Sequence, residues 1–311
     1  MPRAVPIVIA LLAVQAALVL LFVVPARAPE PHGLPVGVVG PAAALQAHGD
    51  ALDVHRYADA DAARAAIRER EVYGAIVPAE GRVLVASAAS PVVAQQLTAM
   101  APAGAKAEDV VPVAPGDPRG AALNLLFLPL MIACFPLAIL LGRMRLPRTR
   151  LIGAVLGFSA LSGLVLTALL RSMDALPGPY FAVSAVAALV VAAVALTATG
   201  LVRLLGPAGL GIAAVLFVVL GNPGSGNASA PELLPGFWRV AGQLLPPGAG
   251  GQALRDVAYF DGHALLVPAL VLAAWAIAGA ALILIGNRRT ATPPASAPAP
   301  APAEPRVAVP A

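Results

Sequence analysis

Apolar residues gather in six long runs, at 6–24, 121–142, 151–170, 180–202, 204–221 and 264–286, and none of them contains Asp, Glu, Lys, Arg or His. A helix needs about 20 mostly apolar residues to cross the hydrocarbon core, where every backbone polar group must find its partner within the segment. The pattern therefore predicts an α-helical integral membrane protein with six transmembrane helices. The fifth run is the shortest.

Between 25 and 120 the pattern changes to short apolar strands interleaved with polar helices. Strands are predicted at 34–39, 52–57, 72–77 and 82–86, and a short helix at 41–48. A second helix runs from an Asp59 N-cap through Glu71, and Ser90-Pro91 opens a third with a capping side chain followed by proline in the first turn. Alternating strands and helices imply a small extracytoplasmic α/β domain between transmembrane helices 1 and 2. A second polar segment, 222–263, carries Leu233, Leu234, Phe237, Trp238, Val240 and Leu244 near helical spacing. It reads as an amphipathic helix whose Phe237 and Trp238 anchor at the outer interface, followed by a shorter helix over 252–260. Residues 287–311 are rich in Pro and Ala and read as a disordered cytoplasmic tail.

Composition agrees: 59% of residues are hydrophobic, 12% are charged and mean hydropathy is +0.84, against about 25% charged in soluble domains. Arginine sets the orientation. Arg3, then Arg143, Arg145, Arg148 and Arg150, then Arg203, then Arg288 and Arg289 all fall on one side if six spans alternate. Positive-inside bias makes that side cytoplasmic, with both termini there and the protein multi-pass in the plasma membrane. Ala26-Arg27-Ala28 resembles a cleavage site, and a first run removed as a signal peptide would leave five spans; its length favours a retained anchor over residues 1–24.

The single cysteine, Cys134, excludes an internal disulfide or a cysteine metal site. No phosphate-binding loop occurs, and the one lysine, Lys106, lies in the α/β domain. Catalytic motifs are absent, the four histidines are scattered, and the arginines form no single patch. These features predict no enzyme activity, no cofactor, no metal and no nucleic-acid partner. Gly153 and Gly157 form a GxxxG motif that Gly163 extends, expected to pack helices within the chain or across a homodimer seam.

Several phrases are similar to those of a known family: residues 34–40, the stretch Glu71-Val72-Tyr73-Gly74-Ala75-Ile76-Val77-Pro78, then Leu234-Pro235-Gly236-Phe237-Trp238 and Leu245-Pro246-Pro247-Gly248-Ala249. With the layout of one span, an external domain and five spans, the chain resembles the membrane subunit of ABC-2-type exporters, in the branch similar to the phage infection protein. The resemblance implies a homodimeric or pseudo-dimeric permease that exports a hydrophobic or envelope-related substrate with a separate ATPase, which would meet Arg143, Arg145, Arg148 and Arg150. Only five residues precede the first run, where such exporters often carry an amphipathic helix. The competing function is a non-transporting surface protein whose α/β domain binds an envelope partner or phage.

Overall fold

The protein is described from a computed structural model that covers residues 4–27, 30–41, 45 and 49–286. Helix α1 (Ala4–Arg27) leads into a domain whose described strands and longer helices are β1 (Leu34–Val39), β2 (Leu52–Tyr57), α2 (Ala60–Arg68), β3 (Gly74–Val77), β4 (Arg82–Val85), α3 (Pro91–Met100) and β5 (Lys106–Asp109). The sheet order is β2-β1-β3-β4-β5, parallel throughout except for the β3–β4 pair. Asp59 caps α2 by accepting from the Ala62 amide at 2.8 Å, and Ser90 caps α3 by accepting from Val93 at 3.2 Å, so each helix begins where the sequence placed its cap. Val36, Ile67, Val83, Leu84 and Leu97 are among the fully buried centre of this domain.

The membrane part follows: α4 (Ala122–Arg143), α5 (Arg148–Ser172), α6 (Tyr180–Leu205), α7 (Pro207–Gly224) and α10 (Leu266–Ile285). These five helices are long and apolar enough to cross a membrane, and the chain is a membrane-embedded helical protein with a small α/β domain near its start. Apolar side chains on the outer faces, such as Leu161, Val165 and Ile277, are exposed, as lipid-facing positions require. Helix α1 is also apolar, with Val8, Ile9, Leu12 and Leu20 exposed, and it meets the bundle at Gly221–Gly224. The centre is α6, with 72% of its apolar window buried against 17–33% for the other four. It packs on α4, α5, α7 and α10, and its run of Ala, Val, Gly and Thr permits that crowding. A Cβ on Gly279 of α10 would lie 2.4 Å from the Thr197 amide nitrogen, so the two backbones touch there.

Several expectations change. Strand β5 was not predicted, because Lys-Ala-Glu-Asp has no β-branched or aromatic residue; it is held at the edge by pairing with β4 and by Glu108, which accepts from Arg64 at 2.8 and 3.0 Å. Helix α2 ends at Arg68, and α7 carries π-helical turns over Val215–Leu220. The long amphipathic helix expected in 222–263 is broken: a 3₁₀ turn over Pro231–Leu233, then the six-residue α8 (Gly236–Ala241), then another turn over Gly242–Leu244. Pro235 is the physical reason, since it has no N–H to donate and forces Leu234 into extended backbone at φ −92°, ψ 149°. The following helix α9 (Pro246–Tyr259) is longer than expected and almost wholly buried, packed on α6 and α10. The helix expected at 41–48 and the tail at 287–311 fall largely or wholly outside the described residues.

Candidate functional site

The polar residues that come together lie where the α/β domain meets the membrane part. Beyond the end of α2, Arg70 adopts a left-handed backbone with φ 60°, and Glu71 donates back to the Ala66 carbonyl at 2.9 Å. A bulky non-glycine residue in that region costs about 1–3 kcal/mol and persists only where its surroundings over-determine it. What determines it here is the side chain. The Arg70 guanidinium is buried, donates to Asp256 and to Gln252 Oε1 at 2.8 Å, and lies 5.1 Å from the centroid of the Phe260 ring. Gln252 and Asp256 are four residues apart on α9, and so on one face of it.

Two further contacts tighten the seam. The Tyr73 backbone is pinned on both sides, donating to Pro35 O and accepting from the Ala86 amide, and its hydroxyl donates to Glu232 Oε2 at 2.7 Å. Ala230 and Leu233 bury their side chains in the domain's own core, so the segment after α7 closes over the sheet. On the adjoining face of α9, Arg255 donates to Asn227 O at 3.3 Å, and Asn227 donates to Pro247 O at 3.0 Å. A Cβ on Gly251 would fall 1.8 Å from Asn227 Oδ1, so only glycine admits Asn227. Asn227 is therefore buried in the junction.

Burial pushes the Asp256 carboxyl above the usual carboxylate range, against the pull of Arg70 and Arg255. Burial, with Arg70 nearby, brings Arg255 down to about 10, and burial raises Tyr73 in company with Glu232. Between the domain and the bundle, Arg70, Tyr73, Gln252 and Asp256 border a cleft of about 330 Å³, with Arg239, Gln243 and Glu232 along one wall and Val267 and Pro268 of α10 along another. Among the described residues, Asp256 Oδ2 and Gln252 Nε2 are buried without a hydrogen-bond partner.

The sequence-predicted sites lie elsewhere. Arg143, Arg145, Arg148 and Arg150 are all exposed on the α4–α5 connection, a 22-residue helix away from the domain. The ends of three helices meet there or nearby: Gly142 approaches Val202, and Gly286 approaches Arg203. Phe237 is 75% exposed and Trp238 half-buried against Gly224, the two rings edge to face at 5.6 Å. Gly163 lies against Ser184 and Ala188 of α6, whereas nothing lies within 4 Å of a Cβ on Gly153 or Gly157, so the packing within the chain expected of that pair is not formed. They fall two residues, about 200° of helix, from the buried stripe of Leu151, Val155 and Ser159, and so face the opposite way. Among the described residues no group of three His, Cys, Asp or Glu is placed to hold a metal ion.

Arg70, Tyr73, Glu232, Gln252 and Asp256 escaped the sequence reading. Arg70 and Asp256 are 186 positions apart, and nothing local marks either; the faint signal was Gln252, Arg255 and Asp256 together on a helix of small residues. Comparison with protein-family models, with curated proteins and with solved structures finds no match for this chain.

Proposed function

We propose that the chain is an ABC-2-like permease of the plasma membrane, with α1 as a sixth span, both termini in the cytoplasm and the α/β domain outside. It moves a hydrophobic or envelope-related substrate outward, with work supplied by a separate ATPase at Arg143, Arg145, Arg148 and Arg150. The observation that carries this reading is the junction: the domain is joined by Arg70 to α9, which packs on the central helix α6. A binding module that needed only an anchor would require one helix and no such coupling. An apolar groove of about 360 Å³ between α4 and α5, bordered by Pro129, Phe158 and Val165, suits a lipid-like substrate entering from the bilayer.

Proteoliposomes holding the purified chain alone are expected to be inert, and to translocate a fluorescent lipid once the co-purified ATPase and ATP are added. Translocation driven by a pH gradient without a second protein would refute the energy source. Loss of ATPase co-purification on changing the four arginines to Gln, with insertion intact, supports the docking site. An impermeant thiol reagent that labels Arg148→Cys but not Asp59→Cys in intact cells would reverse the orientation.

A further inference from the structure

The cleft at the junction carries an inference that goes beyond transport. Its polar lining is of both signs, Arg70 and Arg239 against Glu71, Glu232 and Asp256, so neither an anion nor a cation would find a uniform field. Arg70 already donates to Asp256 and Gln252, Arg239 to the His32 carbonyl at 2.7 Å, and Glu232 accepts from Tyr73. Among the described lining residues the buried atoms without a partner are an acceptor, Asp256 Oδ2, on a residue with no exposed surface, and a donor, Gln252 Nε2, one helical turn away on the same face. A buried polar atom without a partner has lost its hydration uncompensated, so a ligand that fills both positions at once is favoured over one that fills either alone.

A hydroxyl group donates and accepts, and adjacent hydroxyls on a ring match a carboxylate beside a carboxamide. The volume, about 330 Å³, lies at the lower end of small-molecule sites of ~300–1,000 Å³. Val267, 69% exposed, and Pro268 border the cleft where α10 begins, which gives an apolar surface for whatever the ring is attached to. The geometry points to a binding site for a neutral, hydroxyl-rich ring, a sugar, held by Asp256 and Gln252 with the ring between the α/β domain and the start of α10. The sugar is either free or the headgroup of a lipid in the adjacent leaflet.

The test uses the full chain in phosphatidylcholine nanodiscs, with and without monoglucosyl diacylglycerol, and reads amide hydrogen exchange over 252–256 together with the thermal midpoint. The glucosyl lipid is expected to slow exchange and raise the midpoint. Soluble methyl glucoside that produces the same protection identifies the free ring as sufficient; protection by the lipid alone identifies the headgroup. Gln252→Glu, which keeps the Oε1 that accepts from Arg70 and removes the Nε2 donor, and Gln252→Leu, which removes both, are each expected to weaken binding about tenfold. If neither variant folds, competition on the wild-type chain decides. The proposal fails if neither probe alters exchange, if glycylglycine competes as well as the glucoside, or if either variant, folded, binds unchanged. No transport is measured, so this result stands apart from the fate of the permease reading.

Discussion

The α/β domain and the helix bundle solve opposite packing problems within one chain. In the domain, large branched side chains such as Ile67, Val83 and Leu97 are inside and charges such as Arg82 and Asp61 are outside, because water is the solvent. In the bundle branched side chains lie both inside, as Leu151, Leu272 and Ile283 do, and outside, as Leu161, Val165 and Ile277 do, while the crowded centre of α6 is mostly Ala, Val, Gly and Thr. Lipid is as apolar as leucine, so helices gain little by hiding leucine from it and gain more from close backbone contact. The seam between the two regions belongs to neither solvent, and it holds the buried charges Arg255 and Asp256.

Breaking the seam is the sharpest test of that contrast. Asp256→Ala leaves the Arg70 guanidinium buried without its counter-charge, and is expected to destabilise the protein by about 3–5 kcal/mol, read as a lower thermal midpoint and faster cleavage between domain and bundle. The double variant with Arg70→Ala should recover part of the loss; if it is as damaged as the sum of the two single changes, the pair is not coupled.

Within the bundle, Gly279→Leu forces a side chain into the Thr197 backbone and is expected to cost about 1–3 kcal/mol, measured by unfolding in detergent. The same change at Gly157, where the space is open, should leave the isolated chain unaffected. Within the domain, Ser90→Ala removes the cap of α3 and is expected to cost about 1 kcal/mol by the same measurement.

The smallest effect is a pH dependence confined to the domain. The hydrogen bonds from Arg64, with help from Arg82, hold the Glu108 carboxyl below its ordinary range. A depressed carboxylate contributes stability above its unfolded value, about 4.3, and that contribution is lost as pH falls through the lower folded value. Acid should therefore loosen β5 in the wild type and have less influence in Glu108→Gln, as seen by hydrogen exchange at 106–109.

Much of the local structure was legible in the sequence. Strands β1 and β2 run over the residues predicted, Asp59 and Ser90 cap as predicted, and the apolar runs after residue 120 each became a helix, because solvent preference and capping act over a few residues. Strand β5 and the broken helix near Pro235 were misread for opposite reasons. The first has no strand propensity of its own and borrows its conformation from β4; in the second, apolar spacing outweighed a proline whose effect on the backbone before it is local and strong.

The sequence by itself determined the solvent of each segment, since hydropathy and span length need no knowledge of neighbours. Only the tertiary structure decided which polar residues meet. Arg70, just past the end of a helix in the domain, and Asp256, on α9 packed against the membrane helices, are each unremarkable in their own stretch of chain. Their pairing depends on the distance between two elements 186 residues apart, and no periodicity or propensity encodes that distance.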